Sequence, residues 1–135
     1  MHTIDHLGIA VKSLAQARKF YEQLGLEVSD EETVPHEKVK VAMLPLGESR
    51  IELLEATSAD SVIAKFIEKR GEGLHHVAIH VPDLTYAVEQ LKAAGTRFVS
   101  DEVKIGAGGH LYVFVHPSST GGVLLELVQD VPEGV

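Results

Sequence analysis

The sequence predicts an α+β fold made of two tandem βαβββ modules within a single 135-residue domain. Two observations carry this. Residues 6–25, HLGIAVKSLAQARKFYEQLG, recur without a gap as residues 76–95, HVAIHVPDLTYAVEQLKAAG. His6/His76, Ile9/Ile79, Val11/Val81, Leu14/Leu84, Ala17/Ala87 and Gly25/Gly95 are identical between the copies. Each copy also opens with alternating apolar residues, the mark of a strand half-buried on one face, and then meets a helix-start signal.

The elements follow in order. Module 1 covers about residues 3–57. Its first strand leads to Ser13 and Gln16, spaced as a capping box, and Gly25 ends the helix as a left-handed C′ residue. A further short strand is expected within Glu27 to Val34. Residues 39–45 (VKVAMLP) read as a strand stopping at proline, Gly47 as a turn, and residues 50–55 (RIELLE) as the closing strand. Residues 60–70 read as a linking helix, capped by Asp60 or Ser61, with Val62, Phe66 and Ile67 as its apolar stripe and Gly71 and Gly73 beyond its end. Module 2, about residues 73–129, repeats the plan. Asp83 is the N-cap and Gly95 the helix end. One strand is expected within Thr96 to Val103, one at residues 111–117 (LYVFVHP) and one at 123–128 (VLLELV), with Gly121 and Gly122 in the intervening turn. A short polar tail follows.

Composition narrows the function. Twelve Lys and Arg against twenty Asp and Glu leave a net charge of −8, which argues against nucleic acid as a partner because phosphate neutralisation needs a basic face. The absence of cysteine excludes disulfides, thiolate metal sites and cysteine nucleophiles. No apolar run approaches the ~18 residues of a membrane span, and the N-terminus lacks a signal-peptide core, so the expected location is the cytoplasm. Eight histidines in so short an acidic chain direct attention to metal or proton chemistry.

Strand parity places those histidines. Leu7, Ile9 and Val11 share one face of the first strand, and His6, Gly8 and Ala10 the other. In its copy, Val77, Ile79 and Val81 oppose His76, Ala78 and His80. Each of His6 and His76 has a small residue two positions on. In the closing strands Glu52 and Glu126 project away from Ile51/Leu53 and Leu125/Leu127, and burying such a carboxylate is costly unless it is paired. A single strand histidine reads as structural and a single strand glutamate as an edge residue. Recurrence of both in register across two halves points instead to a divalent metal. Two imidazoles and two carboxylates suit Co²⁺, Mn²⁺, Ni²⁺, Fe²⁺ or Zn²⁺ in an open six-coordinate site, and match a closed structural zinc site poorly. His75 reads as structural; His2, His36 and His110 read as surface or loop residues. His80 and His116 stay open, the second because it precedes Pro117 near the expected site.

IDHLGIAV, GESRIELLEA, KRGEGLHHVAI, IGAGG and HPSSTGGVLLEL resemble the vicinal oxygen chelate superfamily, and within it the methylmalonyl-CoA epimerase family, over residues 3–129. The resemblance implies paired modules whose mixed sheet curls into a cup round one metal ion, Co²⁺ foremost, with helices outside. It implies His6, Glu52, His76 and Glu126 as ligands, and interconversion of (2R)- and (2S)-methylmalonyl-CoA through a metal-stabilised enolate. Glu126 carries over as one acid/base. The family's second glutamate falls on Lys40, which either titrates with a lowered pKa, binds the substrate carboxylate, or lies on the surface. In the latter cases a metal-bound water, Glu52 or Glu37 supplies the other proton. For the CoA phosphates the candidates are Lys65, Lys69, Arg70 and Lys104, with Gly108 of the glycine-rich turn approaching by backbone. Ser118 and Ser119 either bond the substrate or cap their turn. A homodimer serving propionate or odd-chain acyl metabolism is also implied. Two other readings stand beside this one: a glyoxalase I-like lyase of the same superfamily, and a non-catalytic binding module.

Overall fold

The computed structural model describes residues 2–106 and 109–130. These form two compact units, His6–His75, and residues 2–5 with 76–130; the division falls within the first and fifth strands, the greater part of the first lying in the former unit and of the fifth in the latter. The first carries β1 (Thr3–Ala10), α1 (Leu14–Gln23), β2 (Glu32–Val34), a 3-10 turn at Pro35–Glu37, β3 (Val39–Leu46), β4 (Ser49–Ala56) and α2 (Val62–Arg70). Its strand order is β2-β3-β4-β1, antiparallel except where β1 runs parallel to β4. The second carries β5 (Gly73–His80), α3 (Leu84–Ala93), β6 (Lys104–Ile105), β7 (Leu111–Val115), a 3-10 turn at Pro117–Ser119 and β8 (Leu125–Gln129). Its order is β5-β8-β7-β6, with β5 parallel to β8.

The repeat survives folding. β5 and α3 begin and end seventy residues after β1 and α1. The expected caps are present: the Ser13 hydroxyl accepts from the Gln16 N–H, and Asp83 from the Tyr86 N–H. Gly25 and Gly95 adopt φ of +98° and +91° just beyond the helices, a conformation that strains any residue with a Cβ. A second device closes each helix start. The Glu55 carboxylate of β4 accepts the Leu14 N–H at 2.7 Å, and the Gln129 side chain of β8 accepts the Leu84 N–H at 2.7 Å. Each closing strand therefore carries a glutamate on one face and, three residues later on the other face, the side chain that satisfies a helix donor.

Each unit buries the helix-facing side of its strands. Ile9, Val11, Ala42, Leu44, Ile51 and Leu53 pack on Leu14, Ala17 and Tyr21 of α1. Ile79, Val81, Val113, Val115, Leu125 and Leu127 pack on Leu84, Ala87, Val88 and Leu91 of α3.

Several boundaries differ from expectation. α2 is capped by Ser61, whose hydroxyl accepts from the Ala64 N–H, and its buried residue is Ile63, whereas Val62 is 60% exposed. The stripe therefore runs Ile63, Phe66, Ile67, the i, i+3, i+4 set, because Val62 stands at the first helical position and turns outward. β3 continues through Pro45: β2 pairs only Val39–Val41, so the missing proline N–H leaves no ladder bond unmade. The extra strand of the second module is Lys104–Ile105, not part of 96–103. Within 96–103 only Phe98 forms a bridge, to Val115, while its ring joins the α3 core. Pairing passes instead to Lys104 and Ile105, which lie nearer β7 in sequence and stand against Tyr112 and Leu111.

Lys38 is the one non-glycine residue at positive φ (+55°) among those described. It is held there by its own N–H to the Pro35 carbonyl, by the Thr57 N–H on its carbonyl, and by an ion pair with Asp60. The hydrogen bond from Lys38, then that from Ser58, brings the Asp60 carboxyl down to about 2. A carboxyl depressed in the folded state stabilises it above the unfolded pKa and loses that contribution as pH falls through the folded one. Thermal melts from pH 5 to pH 2 should therefore show a smaller loss of stability in Asp60→Asn than in the parent chain. Parallel curves would refute the assignment.

Among the described residues no helix is long and apolar enough to cross a membrane.

Candidate functional site

The opposite face of the strands holds the polar residues. In the first unit β1 turns His6, Gly8 and Ala10 away from the helix, and β4 does the same with Arg50, Glu52 and Leu54. The parallel register sets His6 against Arg50 and Gly8 against Glu52, so His6 and Glu52 are diagonal neighbours with only a hydrogen atom beside the carboxylate stem. His6 Nδ1 lies 3.3 Å from Glu52 Oε2, and both side chains are buried. Arg50 Nε meets the same oxygen at 3.1 Å.

The second unit repeats the arrangement. Ala78 stands against Glu126 in the β5–β8 register, and His76 Nε2 lies 3.0 Å from Glu126 Oε1, again buried. Here the surroundings are aromatic. Phe114 pairs with Glu126 across β7–β8, and its ring meets the His76 imidazole edge to face at 5.2 Å; Tyr112 packs on Phe114 at 5.9 Å. Tyr112, Ala78 and Val128 complete the apolar wall. In so weakly polarisable a setting a carboxylate and its partners interact far more strongly than in water.

Each unit thus offers one imidazole nitrogen and one carboxylate oxygen at hydrogen-bond separation, both sequestered from solvent. This is a nitrogen/oxygen donor set with no sulfur, and it fits a divalent cation of intermediate hardness.

Arg50 was not singled out from sequence beyond sharing the face of Glu52. The i, i+2 spacing along a strand is the signal that could have found it. Its guanidinium partly offsets the cost of burying Glu52.

Lys40 requires correction. On β3, Lys40 shares a face with Ala42 and Leu44, which pack on α1, whereas Met43 stands against Glu52. Its Nζ pairs with Glu55 at 3.1 Å and approaches Glu31 at 4.0 Å. The hydrogen bond to Glu55, then the charges of Glu55 and Glu31, raise the lysine pKa above its ordinary value. A proton-accepting lysine needs the reverse. Lys40 therefore supports the side chain that closes α1, and its acid/base assignment is withdrawn. Lys40→Met should leave turnover unchanged in a steady-state assay; a loss comparable to that of a metal-ligand variant would restore the original reading.

The remaining expectations divide. Lys69 and Arg70 lie exposed in the last turn of α2, where cations complement the helix dipole. Gly108 lies outside the described residues. Ser119 Oγ accepts the Arg97 N–H at 2.9 Å, and the Ser118 hydroxyl meets His116 Nδ1 at 2.8 Å, so both serines fasten their own turn. His75 stacks edge to face on Phe66 of α2 at 5.0 Å, as a structural residue should. His80 and His110 both meet Asp130, at 3.6 and 2.7 Å.

Comparisons with known proteins agree with this picture. Residues 5–114 match the model of the glyoxalase/bleomycin resistance protein/dioxygenase superfamily. The chain is 43% identical to the mitochondrial methylmalonyl-CoA epimerase of Bos taurus, over 93% of this chain and 73% of that protein. The crystal structure of methylmalonyl-CoA epimerase from Mycobacterium tuberculosis superposes with a TM-score of 0.91 at 35% identity, covering 96% of this chain and 89% of the other. A Streptomyces coelicolor methylmalonyl-CoA epimerase variant in complex with 2-nitronate-propionyl-CoA gives 0.91 at 36% identity, covering 96% and 94%. With matching βαβββ modules and matching sequence over nearly all its length, the chain belongs to the glyoxalase/bleomycin resistance protein/dioxygenase superfamily and, within it, to the family of the methylmalonyl-CoA epimerases.

Proposed function

We infer that this chain interconverts the (2R) and (2S) forms of methylmalonyl-CoA, and that His6, Glu52, His76 and Glu126 bind one divalent metal ion for that purpose. The observation that carries the reading is the buried His–Glu pair present once in each module, in a chain of the epimerase family. The C2 proton of the substrate lies between a thioester and a carboxylate and is acidic. The cation supplies Lewis-acid stabilisation of the charge left when that proton departs. Co²⁺ is the ion we propose, as the family resemblance implies, and the nitrogen/oxygen donor set is compatible with it.

Glu126 moves a proton at C2 from one face. A proton must also reach the other face, and with Lys40 turned away we assign that step to Glu37. Two observations support it. Glu37 is half-buried at the end of the Pro35–Glu37 turn, and the next residue, Lys38, is held in the strained left-handed region. Strain of this kind collects where a side chain must be aimed. Glu37→Gln should abolish epimerisation while metal affinity, read by titration of the apo protein, stays as it was. Equal loss of both would remove Glu37 from the mechanism.

CoA phosphates meet the exposed Lys69 and Arg70 in this reading, and the complex of the Streptomyces relative with a CoA ester supports a ligand of that class. The enzyme would act as a cytoplasmic homodimer in propionate or odd-chain acyl metabolism.

The deciding experiment incubates Co²⁺-loaded protein with (2R)-methylmalonyl-CoA in D₂O. Deuterium at C2 with loss of stereochemistry is the expected result. No exchange, together with turnover of the methylglyoxal–glutathione adduct, would point to a lyase.

A further inference from the structure

We propose that His116 is the hydrogen-bond donor that recognises the free carboxylate of the acyl group and so selects dicarboxylic over simple acyl-CoA esters. The proposal rests on the epimerase reading and adds to it a specificity-determining residue.

The argument begins with the tautomer. The Ser118 backbone N–H points at His116 Nδ1 at 3.0 Å. A backbone N–H only donates, so Nδ1 must present its lone pair. The Ser118 hydroxyl at 2.8 Å from the same nitrogen then donates as well. In the neutral ring the proton is thereby confined to Nε2. The residue is fixed at its backbone too: the His116 N–H donates to the Arg97 carbonyl at 2.9 Å, and the Ser119 N–H donates to the His116 carbonyl at 2.9 Å. Ser119 Oγ in turn accepts the Arg97 N–H. Ser118 and Ser119 of HPSSTGG, together with Arg97, therefore serve to hold one imidazole in one orientation and one protonation pattern. Among the described residues no partner takes Nε2. By capping the Pro117–Ser119 turn through Nδ1, the ring leaves its outer nitrogen a committed donor.

Placement follows from register. His116 comes one residue after β7, and parity puts it on the side of Tyr112 and Phe114, the face that carries His76 and Glu126. Val77 and Val115 both pair with Leu125, so His76, Leu124 and His116 form a row one step further along the three strands. Two strand spacings, about 10 Å, separate the outer members at the backbone. Side chains rising from the same face at that spacing can grip the two ends of a three-carbon acyl group. The chain itself is acidic, and a neutral N–H is a donor that attracts a carboxylate without inviting the chain's own acids to compete for a full charge.

The test measures dissociation constants of malonyl-CoA and propionyl-CoA, which differ in one carboxylate, on the metal-loaded protein. The parent chain should prefer malonyl-CoA. His116→Phe keeps a ring and removes the donor. It should lose roughly 10- to 100-fold in malonyl-CoA affinity and little in propionyl-CoA affinity, as a hydrogen bond to a charged group implies. His116→Gln, whose amide places a donor near the Nε2 position, should recover most of the preference. Nitrogen NMR of the parent should show Nδ1 unprotonated, and Nε2 should shift on adding malonyl-CoA but not propionyl-CoA. Equal weakening of both ligands in His116→Phe would make the residue merely structural, and an unchanged preference would remove it from recognition; either result overturns the proposal. A parent chain with no preference for the carboxylate would instead count against the epimerase reading itself.

Discussion

Replacing Glu126 by glutamine should lower epimerisation by roughly 10²- to 10⁴-fold, the range spanned by loss of a positioned proton carrier. The substitution is isosteric, so the wall of Ala78, Tyr112, Phe114 and Val128 stays filled. The amide neither accepts a proton from C2 nor balances the charge of a cation as a carboxylate does. His76, 3.0 Å away, loses an anionic neighbour but keeps an acceptor oxygen. Removing a charge from a site only 8% exposed relieves a desolvation penalty, so the melting temperature of the metal-free variant should hold or rise. The measurement pairs C2 deuterium uptake with a thermal melt. Turnover within tenfold of the parent would show that the residue is not the proton carrier. Lost turnover with a collapsed melt would show only that the fold needs it.

Chelation provides the second large effect. Stripping the metal should abolish turnover, and adding Co²⁺ should restore it, while the far-ultraviolet circular dichroism barely changes. The reason lies in where the cores sit. Leu14, Leu44 and Leu53 in one unit, and Val81, Leu84 and Val113 in the other, are buried on the helix side of the strands, and the His–Glu pairs occupy the reverse side. Losing the ion thus removes a binding contribution and no core. Binding to the folded state alone adds about 2.7 kcal/mol when free metal exceeds its dissociation constant a hundredfold, so the melt should rise with metal concentration and fall with chelator. Full activity in the presence of excess chelator would exclude the metal-dependent mechanism.

How far the site could be read from sequence depends on the strand concerned. In the middle of β1, β4, β5 and β8 one face is aliphatic, and the other carries His6, Arg50 with Glu52, His76 with His80, and Glu126 among small or apolar neighbours. Alternation alone assigned His6, Glu52, His76 and Glu126 to one side. β3 defeats the same rule. VKVAMLP is apolar at both parities, so Val39, Val41 and Met43 compete with Ala42 and Leu44 for the helix side, and nothing local says which set wins. Lys40 was brought to the site by the family resemblance alone, parity offered nothing to oppose it, and the packing of Ala42 and Leu44 on α1 puts it on the helix side. The linking helix failed more mildly: Val62 and Ile63 are both apolar, and only contact with the strands decided that Ile63 turns inward.

The sequence by itself determined the duplicated plan, the helix limits set by Ser13, Asp83, Gly25 and Gly95, and the recurrence of one imidazole and one carboxylate per module. These are encoded in neighbours two to four residues apart, through strand parity, helix period and capping, and local chain geometry suffices to express them. Tertiary structure decided who meets whom: Arg50 and His6 on one oxygen of Glu52, Lys40 on Glu55, and Phe114 on His76. Those contacts depend on which strands lie side by side and in what register. Register is chosen by burying aliphatic faces against helices far away in sequence, so no short window of residues contains it.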